Sequence, residues 1–162
     1  MAYKPKPIKT TVEGAINDAF AVFEELAEEM RETADNMESA NMGHMPKCEV
    51  ATEAADELEQ HDEPPEVPDH VKDLAVECVE MVNKDKRKGP SRDVRFSNAQ
   101  TLLQAAVEAI DAYRTAAAET KAAGALDGKQ AEADEREQKA EDLNEELMEH
   151  TEFSVEFPGM FG

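Results

Sequence analysis

Residues 11–37 read TVEGAINDAFAVFEELAEEMRETADNM, and this stretch decides the fold. Its apolar side chains recur every three or four residues, a spacing that places them on one face of an α-helix. Thr10 and Glu13 form a capping-box pattern, so we expect the helix to begin near Thr11. The buried stripe is predicted to consist of Val12, Ile16, Ala19, Phe20, Phe23, Leu26, Ala27, Met30, Ala34 and Met37.

A second helix is predicted to pair with the first as an antiparallel hairpin over residues 10–60. The apolar pattern stops at residues 41–43, and Pro46 suits the first turn of a new helix that continues through Leu58. Residues 61–70 (HDEPPEVPDH) contain three prolines and cannot be helical through 64–68. We expect them to form an extended connector.

Residues 71–150 are predicted to form further helices. The stretch 71–82 fits a helical stripe, although its valine-rich AVECVEMV would also suit a strand. We favour a helix there and leave the strand as the alternative. Ser91 is a good N-cap for a strong helix that ends near residues 123–124, and a highly charged helix should follow over about 127–150. The predicted fold class is therefore all-α: one domain over residues 1–162, built as antiparallel helical hairpins or a bundle, with a short extended C-terminal segment.

The composition indicates a small alanine-rich core and a strongly acidic surface. The chain has 17 Lys and Arg against 38 Asp and Glu, a net charge of −21 over 162 residues, and it contains no Trp. No apolar run is long enough to span a membrane, the N-terminus lacks the apolar region of a secretory signal, and two cysteines do not make a disulfide framework. We expect a reduced, cytoplasmic protein.

The positive charge is concentrated in two short places. Lys4, Lys6 and Lys9 lie at the N-terminus, and six bases lie within residues 84–95. The rest of the chain holds 8 bases against 36 acids, a net charge of −28. A field of this sign repels nucleic acid and membranes and attracts basic partners. We therefore expect the basic segment to pair with this protein's own acidic helices.

The acidic helices are the candidate binding surface; the alternative is that they are a solvated polar face, or the surface of a highly charged protein adapted to salt. Residues 127–149 carry ten carboxylates, which at about 1.5 Å rise per residue gives roughly one per 3.5 Å of helix axis. One strand of B-DNA carries a phosphate about every 3.4 Å. Several acids also stack like on like at i,i+4, which costs an isolated helix about 0.2–0.5 kcal/mol per pair. The partner-binding residues we predict are Glu24, Glu25, Glu28, Glu29, Glu32, Glu141, Asp142, Glu145, Glu146 and Glu149.

The sequence gives no support for an enzyme, a metal site or a cofactor. It contains no nucleophile elbow, zinc-deaminase signature or phosphate loop, and no Cys-x-x-Cys or His-x-x-x-His unit. Cys48 and Cys78 fall near apolar stripes, where a cysteine is commonly a small buried hydrophobe. We therefore predict a non-enzymatic protein with no catalytic residues, no metal ligands and no cofactor.

The C-terminal residues 151–162 change character from charged to apolar. Two readings remain open: the segment folds back to close the core, or it docks into another protein as an extended peptide. Its apolar side chains belong to Phe153, Val155, Phe157, Met160 and Phe161.

The chain resembles small acidic helical proteins of unassigned role encoded by tailed bacteriophages. The resemblance rests on the acidic first helix, the PPEVP connector, the basic KDKRKGPSRDVR segment and the terminal EFPGMFG. It implies a phage-encoded protein in the host cytoplasm, an inhibitor or a nucleic-acid-mimicking decoy that engages a basic surface of a host or defence protein. The alternative is a phage structural or assembly protein whose apolar C-terminal tail docks a neighbouring subunit. A homo-oligomer, with helix stripes buried between copies, is a third possibility.

Overall fold

The computed structural model describes residues 3–85, 87, 89–122 and 130–158. Helices dominate this part of the chain, and two strands form a small sheet. The elements in chain order are β1 (Tyr3–Thr11), α1 (Val12–Ser39), α2 (Pro46–Glu59), α3 (Asp69–Lys72), β2 (Ala75–Asn83), α4 (Arg92–Ala122) and α5 (Gln130–Glu152).

The all-α prediction is wrong, because the two strands β1 and β2 pair into an antiparallel sheet. The register runs from Tyr3 opposite Asn83 to Thr11 opposite Ala75. The helix favoured for residues 71–82 is confined to the single turn α3, and the strand alternative is the one the structure adopts from Ala75 onward. The structure is 67% helical and of mixed class.

Alternation along β2 explains why the strand forms. Val76 is 1% exposed and lies on the inner face of the sheet, whereas Val79 is 48% exposed on the outer face. A period of two suits a strand with one buried face, and β-branched side chains pack well on a pleated surface. The partner strand is the N-terminal lysine-rich stretch, for which the sequence analysis predicted no structure.

Helix α1 begins near Thr11 as predicted, but its N-cap is Thr11 and not the Thr10 of the predicted capping box. The Thr11 hydroxyl accepts the Gly14 N–H at 3.1 Å, and the Val12 N–H donates to the Leu74 carbonyl at 3.0 Å. Gly14 lies against Thr10, where a Cβ atom would collide with the threonine hydroxyl. Strand β1 therefore passes into α1 without a loop. The hydrogen bonds of the Val12 and Gly14 N–H groups hold the first turn of the helix in place.

The α1–α2 hairpin has the predicted boundaries, with Pro46 in the first turn of α2. Asn41 has a φ of 60°, a left-handed conformation that asparagine tolerates better than most residues. Cys48 is buried, and its Sγ lies 3.7 Å from the Ala34 carbonyl oxygen. The cysteine therefore belongs to the helix–helix contact, as its place in the stripe predicts.

Helix α5 runs antiparallel to α4 and places the C-terminal segment over the start of α4. Asn144 bonds Asp111 at 2.7 Å near the middle of the pair, and Gln100 bonds the Phe153 carbonyl at 2.7 Å near its end. The largest fully buried side chains include Phe23, Leu26, Leu103, Ile110 and Leu147, and ten alanines fill the space around them. The core is made of alanine and a few large residues, as the composition predicts.

Candidate acidic binding surface

The predicted acidic ridge of α1 lies on the solvent side of the helix. Because the apolar stripe turns inward, Glu24, Glu25, Glu28 and Glu32 are exposed, and Glu29 is partly buried. Glu28 and Glu32 are one helical turn apart and lie on the same side of the helix. The exposed ridge therefore follows directly from the amphipathic pattern.

Two of these predicted residues pair with a base of the same chain. The Arg95 guanidinium contacts Glu25 at 3.3 Å through Nη1 and Glu29 at 2.6 Å through Nη2. Arg95 lies in the first turn of α4, where positive charge opposes the helix dipole. Its pairing with α1 confirms the prediction that this arginine contacts this protein's own acidic helices. Glu25 and Glu29 are consequently less available to a partner than Glu28 and Glu32.

A second arginine joins α1 to α2 and was missed by the sequence analysis. Arg31 Nη2 contacts Asp56 at 2.8 Å and Glu59 at 2.9 Å, and its Nε donates to Glu59 at 3.3 Å. These hydrogen bonds raise the pKa of Arg31 further above its already high ordinary value. The feature of the sequence that could have indicated this contact is a single base within an otherwise acidic helix face.

Carboxylates from three elements come together where α2 ends. Burial raises the pKa of the Asp62 carboxyl, and the negative charges of Glu24 on α1, Glu59 on α2 and neighbouring Glu63 raise it further. Like charges disfavour the ionised form of a carboxyl in this way. The acidic surface of α1 thus continues across the end of α2 into the connector.

The predicted residues of α5 face solvent with one exception. Asp142, Glu145, Glu146 and Glu149 are exposed, whereas Glu141 is partly buried. Arg114 of α4 lies 3.8 Å from Glu141 and 3.7 Å from Asp111. Glu141 therefore belongs to the α4–α5 contact as well as to the surface.

An acidic cleft of about 680 Å³ separates the connector from α5. His70 on the connector side hydrogen-bonds the Arg136 carbonyl oxygen at 2.9 Å, and Lys139 pairs with Glu135 at 3.2 Å. Six carboxylates line the cleft: Glu66, Asp69, Glu132, Glu135, Asp142 and Glu146. The sequence analysis did not include the connector in the acidic surface, because it considered only the extended conformation that the prolines impose. Residues 61–70 nevertheless contain four acids.

The C-terminal segment packs on this chain's own helices. The Phe153 ring lies 5.3 Å from the Phe23 ring and 5.1 Å from the Phe96 ring, and Phe157 lies 6.0 Å from Phe96. Val155 is also half-buried against the core. In this conformation these three predicted docking residues are not presented to a neighbouring subunit. Met160 and Phe161 lie outside the described residues.

The sheet brings the two basic stretches of the sequence together. Because β1 and β2 are antiparallel, Lys4 lies opposite Val82, one residue before Asn83 and the basic segment that follows it. The Tyr3 hydroxyl accepts the Ser91 N–H at 3.1 Å across this end of the sheet. Lys4, Lys6, Lys84 and Arg87 are exposed there. Positive charge therefore collects at one end of the sheet, and the acidic helices lie elsewhere.

Within the described ranges there is neither a metal site nor a helix that could span a membrane. No three His, Cys, Asp or Glu side chains among those residues are arranged to hold a metal ion. None of the described helices combines the length and the apolar character that a membrane crossing requires.

Comparison with known proteins gives no match of any kind. Models of protein families, curated proteins and solved structures were each compared with the chain, and none is similar to it.

Proposed function

We propose that this protein is a non-enzymatic acidic binding protein whose exposed carboxylates engage a basic surface of another protein. The observation that carries the proposal is the crowding around Asp62, where burial and the negative charges of Glu24 on α1, Glu59 on α2 and Glu63 in the connector raise the pKa of its carboxyl. Crowded like charges destabilise a fold, so stability alone does not favour them. A basic partner would relieve this repulsion and bind more tightly for that reason.

The binding surface is wider than two helices. It comprises the outer ridge of α1, the end of α2, the connector and the outer face of α5, with the acidic cleft between the last two. The exposed members of the predicted set are Glu24, Glu25, Glu28, Glu32, Asp142, Glu145, Glu146 and Glu149. Glu25, Glu29 and Glu141 contribute less, because Arg95 and Arg114 already compensate them.

The partner class we favour is a nucleic-acid-binding protein, with this chain acting as a decoy for the nucleic acid. The carboxylate spacing of roughly 3.5 Å along α5 supports this choice, because a phosphate strand presents charge at about the same interval. The resemblance to acidic proteins of tailed bacteriophages supports an inhibitor of a host or defence protein. Internal pairing of Glu135 and Glu141 lowers the free charge density of α5 below the value counted from sequence.

The decisive experiment is affinity capture from a host lysate, followed by competition with duplex DNA for the captured protein. A decoy must displace DNA, and its affinity must fall steeply as salt rises, because its contacts are ionic. The variant Glu28→Lys/Glu32→Lys/Glu146→Lys should abolish displacement. Glu108→Lys, which reverses the charge of an exposed residue on α4, is the matched control and should bind like wild type. Capture that is indifferent to salt and to the triple reversal would exclude the proposal.

A further inference from the structure

Two histidines meet at the point where the C-terminal segment leaves α5. His61 follows the end of α2, and His150 lies in the last turn of α5. Their Nδ1 atoms are 2.9 Å apart, and the two rings are perpendicular with centroids 5.0 Å apart. His150 is 8% exposed and its ring also contacts Phe20 of α1, whereas the His61 side chain is 16% exposed, so this histidine pair lies at the edge of the core.

The histidine pair also holds the C-terminal segment. The His61 ring stacks on Phe153 with centroids 3.7 Å apart and an interplanar angle of 8°. Gln100 of α4 donates to the Phe153 carbonyl at 2.7 Å and lies 3.4 Å from the His150 carbonyl. His61 thus touches both His150 and Phe153, and a movement of its ring would disturb both contacts.

An Nδ1–Nδ1 hydrogen bond needs one protonated nitrogen and one lone pair. The bond exists when both rings are neutral and when one of them carries a second proton. When both rings are charged, two N–H groups face each other at 2.9 Å, and the bond is replaced by repulsion. Opening therefore requires the second proton of the pair.

We propose that the histidine pair is an acid-sensitive switch, and that charging of both rings releases residues 153–158 from the helices. The separated rings would then admit water, and Phe153 would lose its stacking partner. Release would uncover Phe23 and Phe96, which form an aromatic surface beneath Phe153. The helices α1, α2 and α4 need not unfold, because α1 also packs directly on both α2 and α4.

The groups around the histidine pair set the direction of the effect. Burial lowers the pKa of His150, the charge of His61 lowers it further, and Glu149 on α5 opposes both. Glu57 of α2 lies 3.5 Å from His61 Nε2, Phe20 of α1 is apolar, and Gln100 of α4 is neutral. Asp62 follows His61, and its raised pKa reflects burial and the charges of Glu24 and Glu59.

The sign of the pH dependence follows from the lowered pKa of His150. A base whose pKa is lower in the folded state stabilises the fold fully above its unfolded pKa of about 6.5. This contribution is lost as the pH falls below that value and through the folded pKa. Asp62 acts in the opposite sense, because a carboxyl with a raised folded pKa favours the fold at low pH. Of these two groups, only His150 favours release on acidification.

Hydrogen exchange measured by mass spectrometry tests the proposal on the full chain. Protection factors for residues 153–158, normalised to the intrinsic exchange rate at each pH, should fall by about tenfold or more between about pH 7 and pH 4.5. Protection of a peptide from the middle of α1 should not change. Constant protection of 153–158, or a parallel loss in α1, would overturn the proposal.

Two variants separate the histidine pair from the other titrating groups. His150→Phe and His61→Phe each leave at most one charged ring, and the second keeps an aromatic stack on Phe153. Either variant should retain protection of 153–158 at low pH. His44→Gln, in the exposed loop between α1 and α2, is the control and should lose protection like wild type. Loss of protection in both phenylalanine variants would assign the effect to carboxylates and refute the switch.

Discussion

The side-chain amide of Asn98 pairs with both backbone groups of Met81. Asn98 Oδ1 accepts the Met81 N–H at 3.0 Å, and Asn98 Nδ2 donates to the Met81 carbonyl at 3.0 Å. Asn98 lies on α4 and is 9% exposed. Its amide thus bonds β2 as a third strand would, and the edge of β2 facing α4 is capped by a helix.

Removing the Asn98 amide should destabilise the sheet. Asn98→Ala leaves the N–H and the carbonyl of Met81 without partners beside α4, and unmet backbone groups of this kind cost about 1–3 kcal/mol. We expect the free energy of unfolding, measured by urea titration, to fall by about 2 kcal/mol. Asn36→Ala, on the exposed face of α1, should change it by less than about 0.5 kcal/mol. Equal losses in the two variants would contradict the role of Asn98.

The prolines of β1 should keep its outer edge from pairing with another chain. Since Met81 directs its backbone groups away from β1, the opposing Pro5 and the equivalent Pro7 lie where an N–H would point to solvent. Restoring both N–H groups with Pro5→Thr/Pro7→Thr creates an edge that can accept a strand. We expect concentration-dependent dimers or aggregates in light scattering. Lys9 lies at an equivalent position on the same edge and already has an N–H. The control variant Lys9→Thr should therefore scatter light like wild type.

These strands show where sequence reasoning failed. The stretch 71–82 fits both a helical stripe and a strand. It forms a strand from Ala75 onward because it pairs with β1, which is distant in the sequence. Local propensity contains no information about Lys4 or Lys6 lying beside β2. By contrast, α1, α2 and the start of α4 were predictable, because their stripes and caps are local.

Arg95 should stabilise the α1–α4 contact in a salt-dependent way. It bridges Glu25 and Glu29, and its side chain is only 23% exposed. Arg95→Met should lower the free energy of unfolding by about 1 kcal/mol at low ionic strength and by less in 1 M salt. Lys139→Met removes an exposed pair with Glu135 and should have no measurable effect. A loss for Arg95→Met that is independent of salt would mean that packing, not pairing, is the cause.

Phe153 should contribute to stability if the C-terminal segment belongs to the folded core. Its ring contacts those of Phe23, Phe96 and His61. Phe153→Ala should lower the free energy of unfolding by about 2 kcal/mol at neutral pH, since it removes a large side chain from a packed cluster. Met148→Ala, at a residue 47% exposed on α5, is the comparison and should be close to neutral. An unchanged stability of Phe153→Ala would show that the segment is held loosely.

Asp62 should cost the protein stability at neutral pH. Burial and the charges of Glu24 and Glu59 raise its pKa in the folded state, so its stabilising effect is complete below the unfolded pKa and lost as the pH rises through the folded value. Asp62→Asn should therefore raise the free energy of unfolding at pH 7 and leave it unchanged near pH 3. Asp35→Asn, on the exposed face of α1, serves as the control. A gain that is the same at both pH values would not come from the charge.

The acidic surface was predictable in part. Its α1 and α5 members follow from helical periodicity, because acids that alternate with an apolar stripe must face solvent. Arg95 and Arg114 compensate Glu25, Glu29 and Glu141 from another helix, and no spacing rule reveals such a pairing. The cleft depends on how the connector lies along α5, which is a property of the packed chain.

The contact between Tyr3 and Ser91 joins residues 88 positions apart, and this has a consequence for the order of synthesis. At about 5–20 residues per second, the ribosome makes β2 roughly 4–14 seconds after β1. The α1–α2 hairpin is local and can form during that interval, while β1 has no strand to pair with. A nascent chain therefore exposes a strand that already carries three lysines and two prolines, residue types that discourage association with neighbouring chains.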